Sequence, residues 1–142
     1  ITAGPHDSML IDDTYNANPE SMRAALDVLS KTRGKKILVM GDMGELGVAA
    51  ADYHQQIGQL AREMNVDNLL ALGELSVHAA EAFGCGGQHF TRLEDLLANL
   101  SGLLDTDVTV LVKGSRAMRM ERVIEKLVAV SQLTDRNTVM RP

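Results

Sequence analysis

Short apolar runs alternate with amphipathic stripes along most of the chain. Continuous apolar runs predict strands that are buried on both faces, whereas apolar residues three and four positions apart predict helices that bury one face. The predicted strands lie at residues 9–11, 37–40, 69–72, 89–90 and 108–112. Each is followed by a predicted helix, with stripes at residues 22–29, 57–64, 76–83, 93–100 and 120–128. This order predicts an α/β fold, a doubly wound, mostly parallel, Rossmann-like sheet with helices on both faces.

The pattern also divides the chain into a domain and a tail. Apolar periodicity stops near Ser131, so we predict one domain over residues 1–130 and a polar, mobile C-terminal tail over residues 131–142. The chain begins at Ile1 rather than at a methionine, and we therefore expect it to be a piece of a longer protein.

Composition excludes several classes of function. Lys and Arg number 14 and Asp and Glu 19, a net charge of −5, which argues against a nucleic-acid-coating role. No run reaches the length of a membrane span, and no secretory signal opens the sequence. Cys85 is the single cysteine, which fits a reducing compartment. We expect a cytoplasmic protein with no membrane span and no nucleic-acid partner.

Polar residues crowd the first predicted loop, Asp12–Pro19 (DDTYNANP). In a doubly wound sheet, ligands bind where strands end and helices begin. Two adjacent carboxylates there can accept hydrogen bonds from ribose hydroxyls or hold a hydrated cation. Alternatively, Asn18 caps the following helix and the two acids only flank it. Capping accounts for Asn18 but not for a wholly polar loop, so we favour a ligand site.

The second loop, Gly41–Gly47 (GDMGELG), has three glycines spaced three apart. This spacing is not the dinucleotide fingerprint, whose first two glycines are separated by one residue. Asp42 and Glu45 could contact an amine or a metal, or the loop could be merely flexible with helix-capping acids. The loop alone does not decide between these interpretations.

The third loop, Lys113–Arg116 (KGSR), is predicted to open the last helix. Two cations, a hydroxyl and a helix N-terminus together favour an anion, such as a carboxylate or a phosphate. The alternative is that Ser115 caps the helix and the cations serve solubility. An arginine at a helix N-terminus opposes the helix dipole, however, and a bound anion would explain it.

No metal site is predicted. The histidines at positions 6, 54, 78 and 89 lack close ligand spacing and are expected to be surface or hydrogen-bonded residues. Cys85 has no identifiable base beside it in the sequence.

Three segments together resemble the Mur ligases. These are Asp12–Met22 (DDTYNANPESM), Gly41–Gly47 followed by His54, and Lys113–Arg116 followed by Met120 and Glu121. The resemblance covers about residues 8–130. Within the family, the first and third segments are similar to those of members that add D-alanyl-D-alanine.

The resemblance implies a domain organisation. The chain corresponds to the third of three domains, with a Rossmann-like sheet that carries an extra antiparallel strand. The phosphate loop Gly-x-x-Gly-Lys-Thr/Ser of the central ATPase domain is nowhere in the sequence, and the UDP-binding N-terminal domain is missing too. The isolated fragment is therefore expected to be inactive.

The chemistry implied by the resemblance is ATP-driven amide formation in cytoplasmic peptidoglycan synthesis. ATP with Mg²⁺, bound mainly by the central domain, phosphorylates the carboxylate of UDP-N-acetylmuramoyl-tripeptide. The amine of D-alanyl-D-alanine then attacks the acyl phosphate, and phosphate leaves.

The resemblance also implies roles for single residues. Asp13 would contact the ribose of ATP, and the other nucleotide-edge residues would be Tyr15, Asn16 and Asn18. The dipeptide or the reaction centre would face Lys113, Ser115 and Arg116. The dipeptide side would also include Asp42 and Glu45.

Two alternatives remain open. A receiver-type phospho-acceptor module also has an acidic pair after its first strand and a lysine after its fifth. It further needs an acceptor aspartate at the end of its third strand, where this chain has Leu72-Gly73-Glu74. The second alternative is a non-catalytic α/β binding module.

Overall fold

The computed structural model describes the backbone of residues 1–140 and the side chains of residues 1–133. Within these ranges one sheet contains the strands β1 (Thr2–Ala3), β2 (Met9–Asp13), β3 (Lys35–Gly41), β4 (Asn68–Leu72), β5 (Gly87–Phe90) and β6 (Val108–Lys113). The helices are α1 (Pro19–Ser30), α2 (Ala50–Glu63), α3 (Val77–Phe83), α4 (Leu93–Ser101) and α5 (Glu121–Met140). Short 3-10 turns occupy Pro5–Asp7, Gly47–Ala49 and Arg116–Met118.

The strand order across the sheet is β1-β2-β6-β3-β4-β5. Every pair is parallel except β1 with β2, so the mostly parallel sheet is confirmed and β1 is the extra antiparallel strand. The last strand thus lies between the first two parallel strands. If the five parallel strands are numbered 1 to 5 along the chain, their order across the sheet is 1-5-2-3-4. Receiver-type sheets have the order 2-1-3-4-5, so the strand order excludes a receiver-type module.

Helices cover both faces of the sheet, as the continuous apolar strands predict. Along β3, Leu38 and Met40 pack in one hydrophobic cluster with α1, α2 and α3, whereas Ile37 and Val39 pack in the other with α4 and α5. Successive strand residues point to opposite faces, which is why a strand buried on both sides is apolar at every position. The chain therefore contains a complete hydrophobic core of its own.

The last helix differs from its prediction at both ends. It begins at Glu121 rather than within Lys113–Arg116, and it continues to Met140, beyond the end of its apolar stripe. An established helix gains one backbone hydrogen bond for each residue added, so it can extend past the face that packs. The division between a domain ending at residue 130 and a mobile tail stays a prediction, and residues 141–142 lie outside the described part of the chain.

Across the described residues, no helix is long and apolar enough to cross a membrane.

Candidate functional site

The three predicted loops meet at the carboxyl edge of the sheet. β2, β6 and β3 are neighbours, and their carboxyl ends lead into residues 14–18, 114–116 and 42–46. About two thirds of the chain separates β2 from β6, yet the two strands are neighbours in the sheet. This edge is the topological switch point at which open α/β sheets bind ligands.

An ion pair joins the first loop to the third. Asp13 and Lys113 are register partners on β2 and β6, and Lys113 Nζ donates to Asp13 Oδ2 at 3.0 Å and to the carbonyl oxygen of Asn16 at 2.9 Å. The lysine side chain is 1% exposed, whereas that of Asp13 is 44% exposed. The anion that Lys113 contacts is thus a carboxylate of its own chain.

A second contact joins the same two loops. The guanidinium carbon of Arg116 lies 5.0 Å from the centre of the Tyr15 ring, a distance typical of cation–π attraction. Arg116 belongs to a 3-10 turn and α5 begins five residues later, so the prediction that it opens the last helix is wrong. In this structure Arg116 therefore packs on the ring of Tyr15, and anion binding by Lys113–Arg116 stays a prediction.

These contacts border a cleft of about 500 Å³. Its lining is mostly polar and consists of Asp12, Asp13, Thr14, Tyr15, Arg116 and Glu121. Glu121 is not among the predicted site residues, and the resemblance includes it only as the residue after Met120. The structure places it in the first turn of α5, at this edge of the sheet. The cleft thus combines carboxylates with one cation held on an aromatic ring.

The remaining polar residues of the first loop shape its backbone. Asp12 Oδ1 accepts from the Thr14 hydroxyl at 2.7 Å, and Asn16 Oδ1 accepts from the Ala17 N–H at 2.9 Å. Asn18 forms a capping box with Ser21 at the start of α1, as its capping interpretation predicts. Asp12 and Asp13 themselves lie inside β2, not after it.

Asp42 is engaged with the start of α3. Its carboxylate accepts from the Ser76 hydroxyl at 2.7 Å, from the Ser76 N–H at 2.8 Å and from the Leu75 N–H at 3.2 Å. Its carbonyl oxygen accepts from the Ser115 N–H at 3.1 Å. Glu45, in contrast, is exposed, with a left-handed φ of 57°. Of the two acids predicted to contact substrate, Glu45 is the one free of such backbone bonds among the described contacts.

Two motif glycines are required by close approach at Met120. A Cβ at Gly114 would lie 2.5 Å from Met120 Cγ, and one at Gly41 would lie 2.9 Å from Met120 Sδ. Met120 is fully buried. The glycines therefore leave room for this side chain between the ends of β3 and β6.

Among the side chains that the structure describes, no group of three His, Cys, Asp or Glu residues is arranged to hold a metal ion.

The fold and the cleft define a Rossmann-like α/β domain with a polar cleft at its switch point. A family model described as "Mur ligase, glutamate ligase domain" matches residues 2–116, most of the chain. The chain belongs to this Mur ligase family.

Two curated relatives share one functional name. The UDP-N-acetylmuramoyl-tripeptide–D-alanyl-D-alanine ligase of Buchnera aphidicola is 42% identical over 127 residues, 87% of this chain and 28% of that protein. The ligase of the same name from Escherichia coli is 40% identical over 121 residues, 84% of this chain and 26% of that protein. The chain thus spans about a quarter of the length of these relatives.

Solved structures of MurF ligases have the same fold as this chain. A crystal structure of MurF from Acinetobacter baumannii superimposes with a TM-score of 0.80 at 38% identity, over 89% of this chain and 28% of that one. MurF ligase from Thermotoga maritima, solved in complex with ADP, superimposes with a TM-score of 0.71 at 29% identity, over 88% of this chain and 30% of that one.

Proposed function

We propose that this chain is the C-terminal domain of an ATP-dependent ligase that adds D-alanyl-D-alanine to UDP-N-acetylmuramoyl-tripeptide during cytoplasmic peptidoglycan synthesis. The observation that carries the proposal is the joining of two separate motifs, through Asp13 with Lys113 and Tyr15 with Arg116, around one polar cleft. The shared name of its relatives supplies the reaction.

The cleft suits the ribose and the base edge of a nucleotide. Asp13 keeps nearly half of its carboxylate exposed and can accept hydrogen bonds from ribose hydroxyls, while Tyr15 offers an exposed ring. A triphosphate needs several donors, and Arg116 is the cation lining this part of the described surface. The phosphates and Mg²⁺ are therefore assigned to the central domain of the ligase, and this chain closes over the nucleotide from outside.

Within that ligase the residues of this chain have two kinds of role. Arg116, Ser115 and Glu45 face the incoming dipeptide or the reaction centre. Lys113 and Asp42 are positioning residues, since both are occupied by hydrogen bonds within the chain. ATP supplies the phosphoryl group that activates the tripeptide carboxylate. Holding the dipeptide amine close to that activated carbonyl then favours amide formation with release of phosphate.

A chimeric ligase tests the proposal. The matched segment of the Escherichia coli ligase is replaced by this chain, and formation of the D-alanyl-D-alanine adduct is measured with UDP-N-acetylmuramoyl-tripeptide and Mg-ATP. We expect product from the chimera, and Arg116→Ala should lower kcat/KM for D-alanyl-D-alanine about tenfold or more. The matched control is Arg92→Ala. Arg92 is an exposed arginine that follows β5, the edge strand farthest from β2 in the sheet.

A chimera that folds but forms no adduct would overturn the proposal. If the cleft residues also gave no NMR response to Mg-ATP or D-alanyl-D-alanine within the folded chimera, the non-catalytic binding module would be favoured instead.

A further inference from the structure

The peptide group between Asp42 and Met43 links helix α2 to the third motif. Its N–H, on Met43, donates to His54 Nε2 at 3.0 Å, and its carbonyl, on Asp42, accepts from the Ser115 N–H at 3.1 Å. A trans peptide is planar, and its N–H and C=O point in opposite directions. Whatever fixes the direction of the N–H therefore also fixes the direction of the carbonyl that holds Ser115.

His54 is suited to fix that direction. The imidazole is fully buried, and its Nδ1 lies 2.7 Å from the carbonyl oxygen of Ala50, one turn earlier in α2. A carbonyl oxygen only accepts hydrogen bonds, so Nδ1 must carry the proton of the neutral ring. Nε2 is then left with a lone pair, which is what the Met43 N–H requires.

Rotation of this peptide is unfavourable. A flipped peptide would turn the Met43 N–H toward the Ser115 N–H and leave two donors facing each other. It would also direct the Asp42 carbonyl toward the lone pair of His54. Met43 is 2% exposed, so water has little access to its N–H.

We propose that His54 is a positioning residue, whose Nε2 lone pair fixes the orientation of the Asp42–Met43 peptide and thereby holds the backbone of Ser115, the residue before the cleft-lining Arg116. The hydrogen-bond coupling is a property of this chain alone. Its consequence for ligation rests on the proposed function.

Amide hydrogen exchange tests the coupling in the full chain. In His54→Leu, the Met43 and Ser115 amides should both exchange about tenfold or more faster than in the unsubstituted chain, while Val39 in β3 changes much less. In His54→Gln, the carboxamide oxygen can take the place of Nε2 and should restore slow exchange at both. The matched control is Ile57→Ala, which removes a buried side chain from the same helix but leaves the imidazole in place.

Three results would overturn the proposal. One is acceleration at Met43 without acceleration at Ser115. Another is an increase in the exchange rates of both amides that is no larger than the increase at Val39 in every variant. The third needs no substitution, because imidazole nitrogen chemical shifts report the tautomer: a proton on Nε2 of His54 in the unsubstituted chain contradicts the inference even if His54→Leu fails to fold.

Kinetics of the chimeric ligase test the consequence. His54→Leu should lower kcat about tenfold, and His54→Gln should recover most of the loss, with smaller changes in KM for the tripeptide, whose contacts lie outside this chain. An inactive unsubstituted chimera would contradict the proposed function but not the coupling. An active chimera in which His54→Leu keeps full kcat would contradict the positioning role.

Discussion

Burial makes the Asp13–Lys113 ion pair asymmetric. The ammonium group lies in the protein interior and makes its hydrogen bonds to Asp13 and to the Asn16 carbonyl, whereas water reaches nearly half of the carboxylate. Removing the exposed partner leaves a buried charge short of acceptors. Removing the buried partner leaves a carboxylate that solvent can hydrate.

The two truncations should therefore differ in their effect on stability. Asp13→Ala is expected to lower the free energy of unfolding by about 2–3 kcal/mol, and Lys113→Met, which keeps an apolar chain of similar length, by about 1 kcal/mol. Urea unfolding of the two variants measures the difference, provided that the slope with denaturant is unchanged. A greater loss for Lys113→Met would mean that the lysine is not held by Asp13 as the structure shows.

Tyr15 is expected to act through its ring. Its side chain is 73% exposed and its hydroxyl is not needed for the contact with Arg116. In the chimeric ligase, Tyr15→Phe should leave KM for ATP within about twofold, whereas Tyr15→Ala should raise it about fivefold, consistent with about 1 kcal/mol for an exposed cation–π contact. Equal effects of the two variants would instead assign the role to the phenol hydroxyl.

The sequence predicted which residues converge better than how they pair. Residue type and position after a strand placed Asp13, Tyr15 and Arg116 at one edge, and capping preference identified the role of Asn18. The pairing of Asp13 with Lys113 depends on β6 lying next to β2, and the local pattern of hydrophobic residues does not contain strand order. For the same reason the sequence does not show that the carboxylate of Asp42 accepts hydrogen bonds from the start of α3.

A glycine in helix α2 packs against the backbone of helix α3. A Cβ at Gly58, in the middle of α2, would lie 2.2 Å from the carbonyl oxygen of Ala79 in α3. Backbone atoms cannot move aside as a flexible side chain can, so the two helices would have to separate.

Gly58→Ala should therefore destabilise the fold although alanine is the better helix former. A gain of about 1 kcal/mol in helix propensity is set against about 2–3 kcal/mol for overpacking, the upper part of the usual range because the clash is with backbone, and we expect a net loss of about 1–2 kcal/mol in urea unfolding. Gly102→Ala is the matched control, because the nearest atom to its Cβ is 3.6 Å away and its φ is −73°. Unchanged or increased stability in Gly58→Ala would show that the helices separate at little cost.

Hydrophobic periodicity located the larger elements because each buries a continuous face. It missed β1, whose two residues, Thr2 and Ala3, are both exposed and are placed by backbone pairing with β2. The interpretation of Lys113–Arg116 as the start of the last helix was also wrong, because Gly114 lies against Met120 and Arg116 contacts Tyr15. Both errors arise where tertiary contacts, rather than local periodicity, decide the backbone.

The sheet joins a complete core to an incomplete site. Both faces are covered by helices of the chain itself, and we therefore expect the chain to fold without another domain. The cleft, in contrast, opens to solvent and offers Arg116 as its cation among the residues described. The cleft can contact the ribose and base edge of a nucleotide. The sequence, however, contains no Gly-x-x-Gly-Lys-Thr/Ser loop to surround the phosphates.

The chain alone should accordingly fold but not hydrolyse ATP. Phosphoryl transfer depends on positioning and on charge neutralisation around the transferred group, and a single arginine on an open edge supplies little of either. Release of inorganic phosphate from Mg-ATP, measured with the folded chain and with an Arg116→Ala control, should not exceed the rate without protein. Robust turnover that the control abolishes would mean that this cleft is itself a catalytic centre, and the chain would then be an independent nucleotide hydrolase and not the closing domain of a ligase.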